Sequence, residues 1–265
     1  MDEVLSWEDP IWNDPDGGRV LLHGVIPTVV YPQAMRPRIP WDGLALVATE
    51  EEEEVWAFEE ESEKESAGIN LAEAMMGGGV DQMYLERLLM IENLQVGRFP
   101  DPEPYRLFRL ANRHQRPIYY LEPPLSDEAW AEHLGKEADV MTRWRSLLKV
   151  PRQGSRFRKL LKQAQTLSSQ PKNAGVELQF ASALAAVWWW LQEERINKEL
   201  SEERDERIAA RLRTALRDLR AQSGDDALLL VPIIQARRGN ILNLLKQGIE
   251  PETEKSENAS AEGEE

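Results

Sequence analysis

Four short, continuous apolar segments constrain the fold of this chain more than any other feature. They are Val20 to Val25, Leu44 to Ala48, Pro117 to Glu122 and Ala227 to Ile234. Each is an unbroken apolar or aromatic run rather than an alternation of apolar and polar residues, which is typical of strands covered on both faces. Long stretches with helical periodicity lie between them. The order predicts an α/β fold with a mainly parallel sheet and helices packed on both faces.

Several predicted helices have recognisable ends. Pro102 or Pro104 suits the first turn of one helix, because the missing N–H of proline would have no partner there. Ser126 and Ser201 are candidate N-caps of two later helices. In the helix that follows Ser201, one stripe at helical spacing is apolar and predicted to be buried: Ile208, Leu212, Leu216 and Leu219.

Arg204 lies one turn before Ile208, on the face of that stripe. An arginine there needs an acidic partner or an opening to water. Alternatively, it extends outward from a frayed first turn. Both interpretations stay open from the sequence.

The length of 265 residues favours one domain, which we place at residues 1–249. Residues 250–265 are rich in glutamate and are predicted to form a disordered acidic tail.

The chain has no cysteine, so disulfides and thiolate ligands are excluded. The longest apolar run, Phe180 to Leu191, is too short to span a bilayer, which needs roughly 18 residues. The first residues lack the basic and apolar regions of a signal peptide. We therefore expect a cytoplasmic protein.

The formal net charge of −15 argues against nucleic-acid binding, since attraction to phosphates needs a basic surface. Acidic residues crowd the segment from Glu50 to Glu65, and basic residues crowd the segment from Arg143 to Lys162. Within the basic segment, Arg152, Arg156 and Lys159 would share one helical face. That face could bind an acidic partner, as an adaptor would. It could also be neutralised within the chain, with the Glu50 to Glu65 segment as a candidate, or be solvated. Both of these interpretations are favoured over nucleic-acid binding.

The common catalytic motifs are absent from the sequence. The glycines of MMGGGVD (Met75 to Asp81) follow no strand and precede no lysine–serine pair, so they predict a turn between helices. No HExxH or G-x-S-x-G motif occurs. Of the three histidines, His23 is predicted to be a hydrogen-bonded residue inside a strand, and His133 a core residue. No two have ligand spacing, so we expect no histidine-based metal site and no cofactor.

Three consecutive tryptophans, Trp188 to Trp190, point in three directions if they lie on a helix. At least one is then partly exposed or lies at a second interface. An exposed tryptophan favours a protein partner or self-association. The competing explanation is that all three tryptophans are buried in a thick core between two helices.

The order of the segments resembles the TraB family, which includes the PrgY and Tiki-like proteins. The resemblance runs from about Val20 to Leu245. In that family an apolar strand enters a G-T-x-H motif; here LLHGVIP occupies that place, with Gly24 on the glycine and Pro27 on the histidine. The second strand of the family carries an acidic residue near its end. In this chain the corresponding segment is LALVATE, in which Glu50 is the acidic residue.

The carboxyl-terminal part of the resemblance rests on two segments. EERDERIAARL resembles the family's ERD helix and places Arg204 on its arginine. LLLVPIIQARRGNILNLL resembles the next strand and helix, with Gln235 where the family has histidine. In Tiki-like members these positions imply metal-dependent peptidase activity. Proline offers no ligand atom and an amide is a weak ligand for transition metals, so that activity does not transfer.

Two functions follow from this resemblance, in addition to the adaptor function of the basic segment. The first is a TraB-like protein without metal catalysis that acts by binding or assembly. Its candidate cleft residues are Gly24, Glu50, Arg204 and Gln235, with a close backbone approach at Gly24 and a polar pocket around Arg204. The second is a metal-dependent hydrolase with relocated carboxylate ligands, such as Glu50 with Glu122. It predicts carboxylates that converge at the carboxyl ends of the strands.

Overall fold

The computed structural model describes residues 5–142, 153–172 and 174–252, and the strands within them form one five-stranded sheet. The strands are β1 (Ile11–Asn13), β2 (Arg19–Val25), β3 (Gly43–Leu46), β4 (Ile118–Tyr120) and β5 (Leu228–Ile234). Their order is β1-β2-β5-β3-β4. β1 runs antiparallel to β2, and the pairs β2–β5, β5–β3 and β3–β4 are parallel. The predicted mainly parallel sheet and its four apolar strands are confirmed, and β1 is an additional edge strand.

The helices in the described residues occupy most of the rest of the chain. They are α1 (Glu52–Glu65), α2 (Ile69–Met76), α3 (Gly79–Leu88), α4 (Pro102–Arg113), α5 (Glu128–Thr142), α6 (Gln153–Leu167), α7 (Val176–Glu193), α8 (Lys198–Ser223) and α9 (Arg238–Lys246). Pro102 is the first residue of α4, as predicted. The glycines after Met76 form the turn between α2 and α3, as predicted.

Helices cover both faces of the sheet, as the continuous apolar strands predict. Successive strand residues point to opposite faces. On one face Val20, Leu22 and Leu229 pack in a cluster with residues of α8 and α9. On the other face Leu21 and Leu230 pack in a cluster with residues of α1 and α4. The sheet is therefore the middle layer of a mixed α/β domain.

A third apolar cluster lies beyond the carboxyl end of β2. Ile26, Val29 and Tyr31 follow that strand and pack with residues of α3, α6 and α7. Because this cluster continues directly from the strand, the first turn after β2 is enclosed by helices instead of opening to solvent.

Two predicted N-caps are wrong, and in each case an Asp or Asn forms the cap instead. The backbone N–H of Trp130 donates to Oδ1 of Asp127 at 2.8 Å, so Asp127, not Ser126, precedes α5. α8 begins at Lys198, where Asn197 accepts a hydrogen bond from the N–H of Leu200 at 2.7 Å. Ser201 therefore lies inside α8. The predicted buried stripe of that helix is confirmed: Ile208, Leu212, Leu216 and Leu219.

The carboxyl-terminal segment is anchored on α8 as far as the described residues extend. The carboxylate of Glu252 lies 3.0 Å from both Arg207 and Arg211. Residues 253–265 of the predicted tail lie outside the described residues. None of the helices in the described part of the chain has the length and hydropathy needed to cross a bilayer.

Candidate functional site

Gly24 and Gln235 lie together where β2 and β5 end. A Cβ atom built on Gly24 would lie 2.7 Å from Nη1 of Arg238 and 3.2 Å from Cγ of Gln235. The backbone N–H of Gln235 donates to the carbonyl of Val25 at 3.1 Å, which continues the parallel ladder by one bond. The side chains that follow β5 therefore approach the backbone of β2 at a position where any side chain would collide.

Both polar groups of the Gln235 side chain are bound inside the protein. Its Nε2 donates to the carbonyl of Ser6, and its Oε1 accepts from Oγ of Ser182 on α7. Arg238 also donates to the carbonyl of Ser6, at 2.6 Å. The amide of Gln235 thus joins the amino-terminal segment, α7 and β5. These residues do not fit a metal, since the ligand-capable oxygen of Gln235 is already engaged and Pro27 has no side-chain ligand.

Asp9 closes the same end of the sheet from the amino-terminal segment. Its Oδ1 accepts from the N–H of Gly24 and from Nη1 of Arg238, both at 2.9 Å. Its Oδ2 lies 2.6 Å from Nδ1 of His23. Residues 5–10 therefore occupy the place that a ligand would take at the ends of β2 and β5.

His23 is buried between two carboxylates. Its Nε2 lies 3.4 Å from Oε1 of Glu103, in addition to the contact between Nδ1 and Asp9. Burial alone would lower the pKa of His23, but hydrogen bonds and the charges of Asp9 and Glu103 raise it to about 9. The imidazole is therefore a buried cation with a structural role, and the prediction of a hydrogen-bonded strand histidine is confirmed.

Thr28 is a residue that the sequence analysis missed. It has a φ of 61°, which is unusual for a β-branched residue and indicates local strain. Its N–H donates to Oδ1 of Asp101 at 3.0 Å, and the preceding carbonyl, of Pro27, accepts from the hydroxyl of Tyr84 at 2.6 Å. Pro27 thus contributes its backbone carbonyl to a part-buried contact.

A cavity of about 200 Å³ opens at the carboxyl ends of β3, β4 and β5. The side chains of Glu52, Asp101 and Glu122 line it, beside Trp56 and Pro232. We call it the carboxylate pocket. It lies where open α/β sheets bind their ligands. Within the described ranges no three His, Asp or Glu side chains are arranged to hold a metal ion.

Burial raises the pKa values of the three pocket carboxyls. Burial and the charges of neighbouring carboxylates raise the pKa of Asp101 to about 7, against the opposing hydrogen bond from Thr28. Burial raises the pKa of Glu52. Burial also raises the pKa of Glu122, although the charges of Arg237 and Arg204 oppose it. The pocket therefore disfavours negative charge and favours protonated carboxyls.

Glu50 lies apart from the other candidate residues. It is exposed in the segment before α1, and Glu52 rather than Glu50 lies on the wall of the carboxylate pocket with Glu122. Glu50 contributes instead to the environment of Tyr120, whose hydroxyl contacts Glu53. Burial and these carboxylates raise the pKa of that hydroxyl. The sequence analysis chose Glu50 as the acidic residue near the end of β3, but Glu52 is the residue that lines the cavity.

Arg204 has acidic partners on two other helices. Its Nη1 lies 3.2 Å from Oε1 of Glu137, and its Nη2 contacts Glu193. Its guanidinium also stacks at 5.6 Å from the ring centre of Trp189, and Arg237 lies 5.1 Å from that ring. With 14% of its side chain exposed, Arg204 is partly buried and paired rather than extended from a frayed turn.

Arg237 connects the Arg204 cluster to the pocket. Its guanidinium binds Asp205 at 2.7 Å, and its charge acts on Glu122. Arg204 therefore belongs to a network of ion pairs, and the polar binding pocket that was predicted around it stays a prediction. The network lies beside the carboxylate pocket, whereas Gly24 and Gln235 lie under the amino-terminal segment.

The basic residues of α6 are partly engaged within the chain. Arg156 pairs with Glu194 at the end of α7, not with the acidic segment from Glu50 to Glu65. Lys159 is exposed. Arg152 lies outside the described residues. Recognition of an acidic partner by this face stays a prediction.

Comparison of the chain with protein-family models, with curated proteins and with solved structures gave no match.

Proposed function

We propose that this chain is a binding or assembly protein built on a TraB-like α/β scaffold with substituted catalytic motifs. The observation that carries the proposal is the engagement of Gln235, whose amide binds Ser6 and Ser182. The residue at the second family histidine position is thereby an internal structural contact. The partner is a protein or a second copy of this chain, and the location is the cytoplasm.

The position of the amino-terminal segment gives further support. Asp9 binds Gly24, His23 and Arg238, so the ends of β2 and β5 are filled by the chain itself. A peptidase needs an open approach to a metal-bound water and a substrate carbonyl. Residues 5–10 cover that approach at Gly24, and the cavity of about 630 Å³ beside them is lined by Ser6, Gln235 and Arg238, whose polar groups are engaged.

The metal content of the purified, tag-free protein tests the proposal. We expect no stoichiometric transition metal by mass spectrometry and no change in melting temperature with chelator or divalent metals. The variant Gln235→His, which introduces the family's histidine, is expected to melt at a lower temperature and still to bind no metal. A stabilising ion in the unmodified protein would contradict the proposal.

A second candidate function is a hydrolase with relocated carboxylate ligands. The observation behind it is that Glu52, Asp101 and Glu122 line one cavity of about 200 Å³, although within the described residues they do not form a metal-binding arrangement. Under this function Mn²⁺ or Zn²⁺ raises the melting temperature, and the double variant Glu52→Gln with Glu122→Gln removes that rise. Glu54→Gln, an exposed change on the same helix α1, is the matched control. If all three proteins respond alike, this candidate fails.

A further inference from the structure

Two adjoining cavities form a long groove on the side of α8 and α9. Their volumes are about 730 and 630 Å³, and both are lined by Trp190, Glu193, Asn240 and Asn243. We call this surface the Trp190 groove. It extends from the amino-terminal segment at Ser6 to Gln247 at the end of α9. Each cavity is within the usual size range of ligand sites.

The half-buried indole of Trp190 lines both cavities, and Trp189 lines the smaller one. Trp189 also contacts Arg204 and Arg237, whereas Trp188 donates to Asp81 at 2.6 Å. Ile196 and Leu244 add apolar surface beside Trp190. This part of the groove suits the aliphatic arm of a long side chain and a cation placed over an indole.

The wall that α8 contributes is acidic. Glu202 and Glu206 are exposed, line the larger cavity and are four residues apart on the helix. Like charges at this spacing repel each other. Glu202 pairs with Lys198, which is 87% exposed, and such a pair is weak. A bound cation would relieve the repulsion between the two carboxylates.

The opposite wall, on α9, carries carboxamides. Asn240, Asn243 and Gln247 lie on one helical face with Leu244 and line the larger cavity, and Asn240 also donates from Nδ2 to Oδ2 of Asp205 at 3.3 Å. A carboxamide both donates and accepts hydrogen bonds, which matches the alternating N–H and C=O groups of an extended peptide. A simple polyamine offers donors only, so this wall favours a peptide.

We propose that the Trp190 groove binds an extended, lysine- or arginine-rich segment of a partner protein. The carboxylates on α8 would receive the basic side chains, Trp190 their arms, and the carboxamides on α9 the peptide backbone. The net charge of −15 would attract such a segment at long range. The inference rests on the proposed function, because it names the partner chemistry of a binding protein.

Fluorescence anisotropy of a labelled, lysine- and arginine-rich ten-residue peptide with the full chain tests the inference. We expect saturable binding that weakens about fivefold in the double variant Glu202→Gln with Glu206→Gln. Trp190→Ala is expected to weaken binding about two- to fivefold. The affinity of Trp190→Phe, which keeps an aromatic ring, should lie between those of the unmodified protein and Trp190→Ala. The matched control is Glu61→Gln with Glu65→Gln on α1, which removes the same charge at the same spacing and leaves binding unchanged.

Three results would overturn the inference. They are no binding, equal weakening in the α8 and α1 double variants, and displacement of the peptide by an equal concentration of spermidine. The second result would indicate attraction to net charge, and the third a site for small cations. Melting temperatures of all variants verify that each is folded. Failure here leaves the proposed function in place, because metal content and metal-dependent melting decide that function separately.

Discussion

Nδ1 of His23 lies 2.6 Å from the carboxylate of Asp9, and this contact fastens the amino-terminal segment to the middle of the sheet. The imidazole is almost fully buried, and Glu103 faces its other nitrogen. A buried histidine with two carboxylate neighbours holds its proton far above the pH at which a free imidazole loses it. The charge of His23 is therefore part of the folded structure.

The stability of the protein should consequently depend on pH above neutrality. The pKa of His23 is raised from 6.5 to about 9 in the folded state, so the folded state binds more protons than the unfolded state between these values. The stabilisation that protonated His23 gives the folded state is fully present below pH 6.5 and is lost as the pH rises through about 9. We expect a loss of up to about 3 kcal/mol in the free energy of unfolding.

Urea unfolding at a series of pH values measures this loss. His23→Gln should be less stable than the unmodified protein at pH 6.5, and the difference should shrink towards pH 9. His114→Gln, at an exposed histidine, is the control and should follow the unmodified protein. A constant difference between His23→Gln and the unmodified protein at all pH values would show that the proton on His23 contributes nothing.

Gly24→Ala tests the close approach of β5 residues to β2. The added methyl group would lie 2.7 Å from Arg238, whose guanidinium cannot move freely because it binds Asp9 and Ser6. Overpacking of this kind lowers the free energy of unfolding by about 1–3 kcal/mol. Urea unfolding measures the change.

Gly135→Ala is the control for that experiment. Gly135 lies inside α5 with no atom within 4 Å of the added methyl group, so alanine should stabilise the helix by up to about 1 kcal/mol. The two glycine variants should therefore shift stability in opposite directions. If Gly24→Ala is as stable as the unmodified protein, the contact with Arg238 does not require glycine.

The sheet could be predicted because each of its main strands is marked by the residues of the strand itself. Each of β2, β3, β4 and β5 is a continuous apolar run, and the helices between them fix the parallel arrangement. The edge strand β1 was missed because Ile11–Asn13 is three residues long and has no apolar run of its own. The two helix starts were wrong because Ser lies close to Asp or Asn in each segment, and the sequence does not tell which side chain reaches the free N–H groups.

The site was less predictable because its contacts join distant parts of the chain. Gly24 and Gln235 were chosen because both lie at motif positions that the resemblance to the TraB family implies, and the structure places them at the same edge of the parallel sheet. Asp9 and Ser6 reach Arg238 across more than 200 residues, and no periodicity signals such a contact. The pocket carboxylates Glu52 and Asp101 were also missed, because only the geometry of the turns after β2 and β3 brings them together.

Arg204→Met should destabilise the protein by about 3 kcal/mol, because it leaves Glu137 and Glu193 without their cation. Chemical unfolding measures the effect. Arg217→Met is the matched control on the same helix, since that arginine is half exposed and, among the described residues, its ion pair is with its neighbour Asp218. We expect the control to change stability by less than about 0.5 kcal/mol. Equal effects of the two substitutions would contradict a stabilising role for the Arg204 pairs.

Asp101→Asn should stabilise the protein at alkaline pH. The pKa of Asp101 is raised from 3.8 to about 7, so the folded state holds this proton in a range where the unfolded chain has lost it. Ionisation of Asp101 therefore lowers stability as the pH rises from about 4 to above 7. Asparagine cannot ionise, and its carbonyl oxygen can still accept the hydrogen bond from the N–H of Thr28.

At pH 8 the free energy of unfolding of Asp101→Asn should exceed that of the unmodified protein by about 1 kcal/mol or more. At pH 4, where the carboxyl of the folded protein is protonated, the two should be nearly equal. Asp139→Asn, an exposed change on α5, controls for the loss of one negative charge and should have a smaller effect at pH 8. A variant that is less stable than the unmodified protein at pH 8 would show that the ionised carboxylate is stabilised in the pocket. That result would favour a bound cation and therefore the hydrolase candidate.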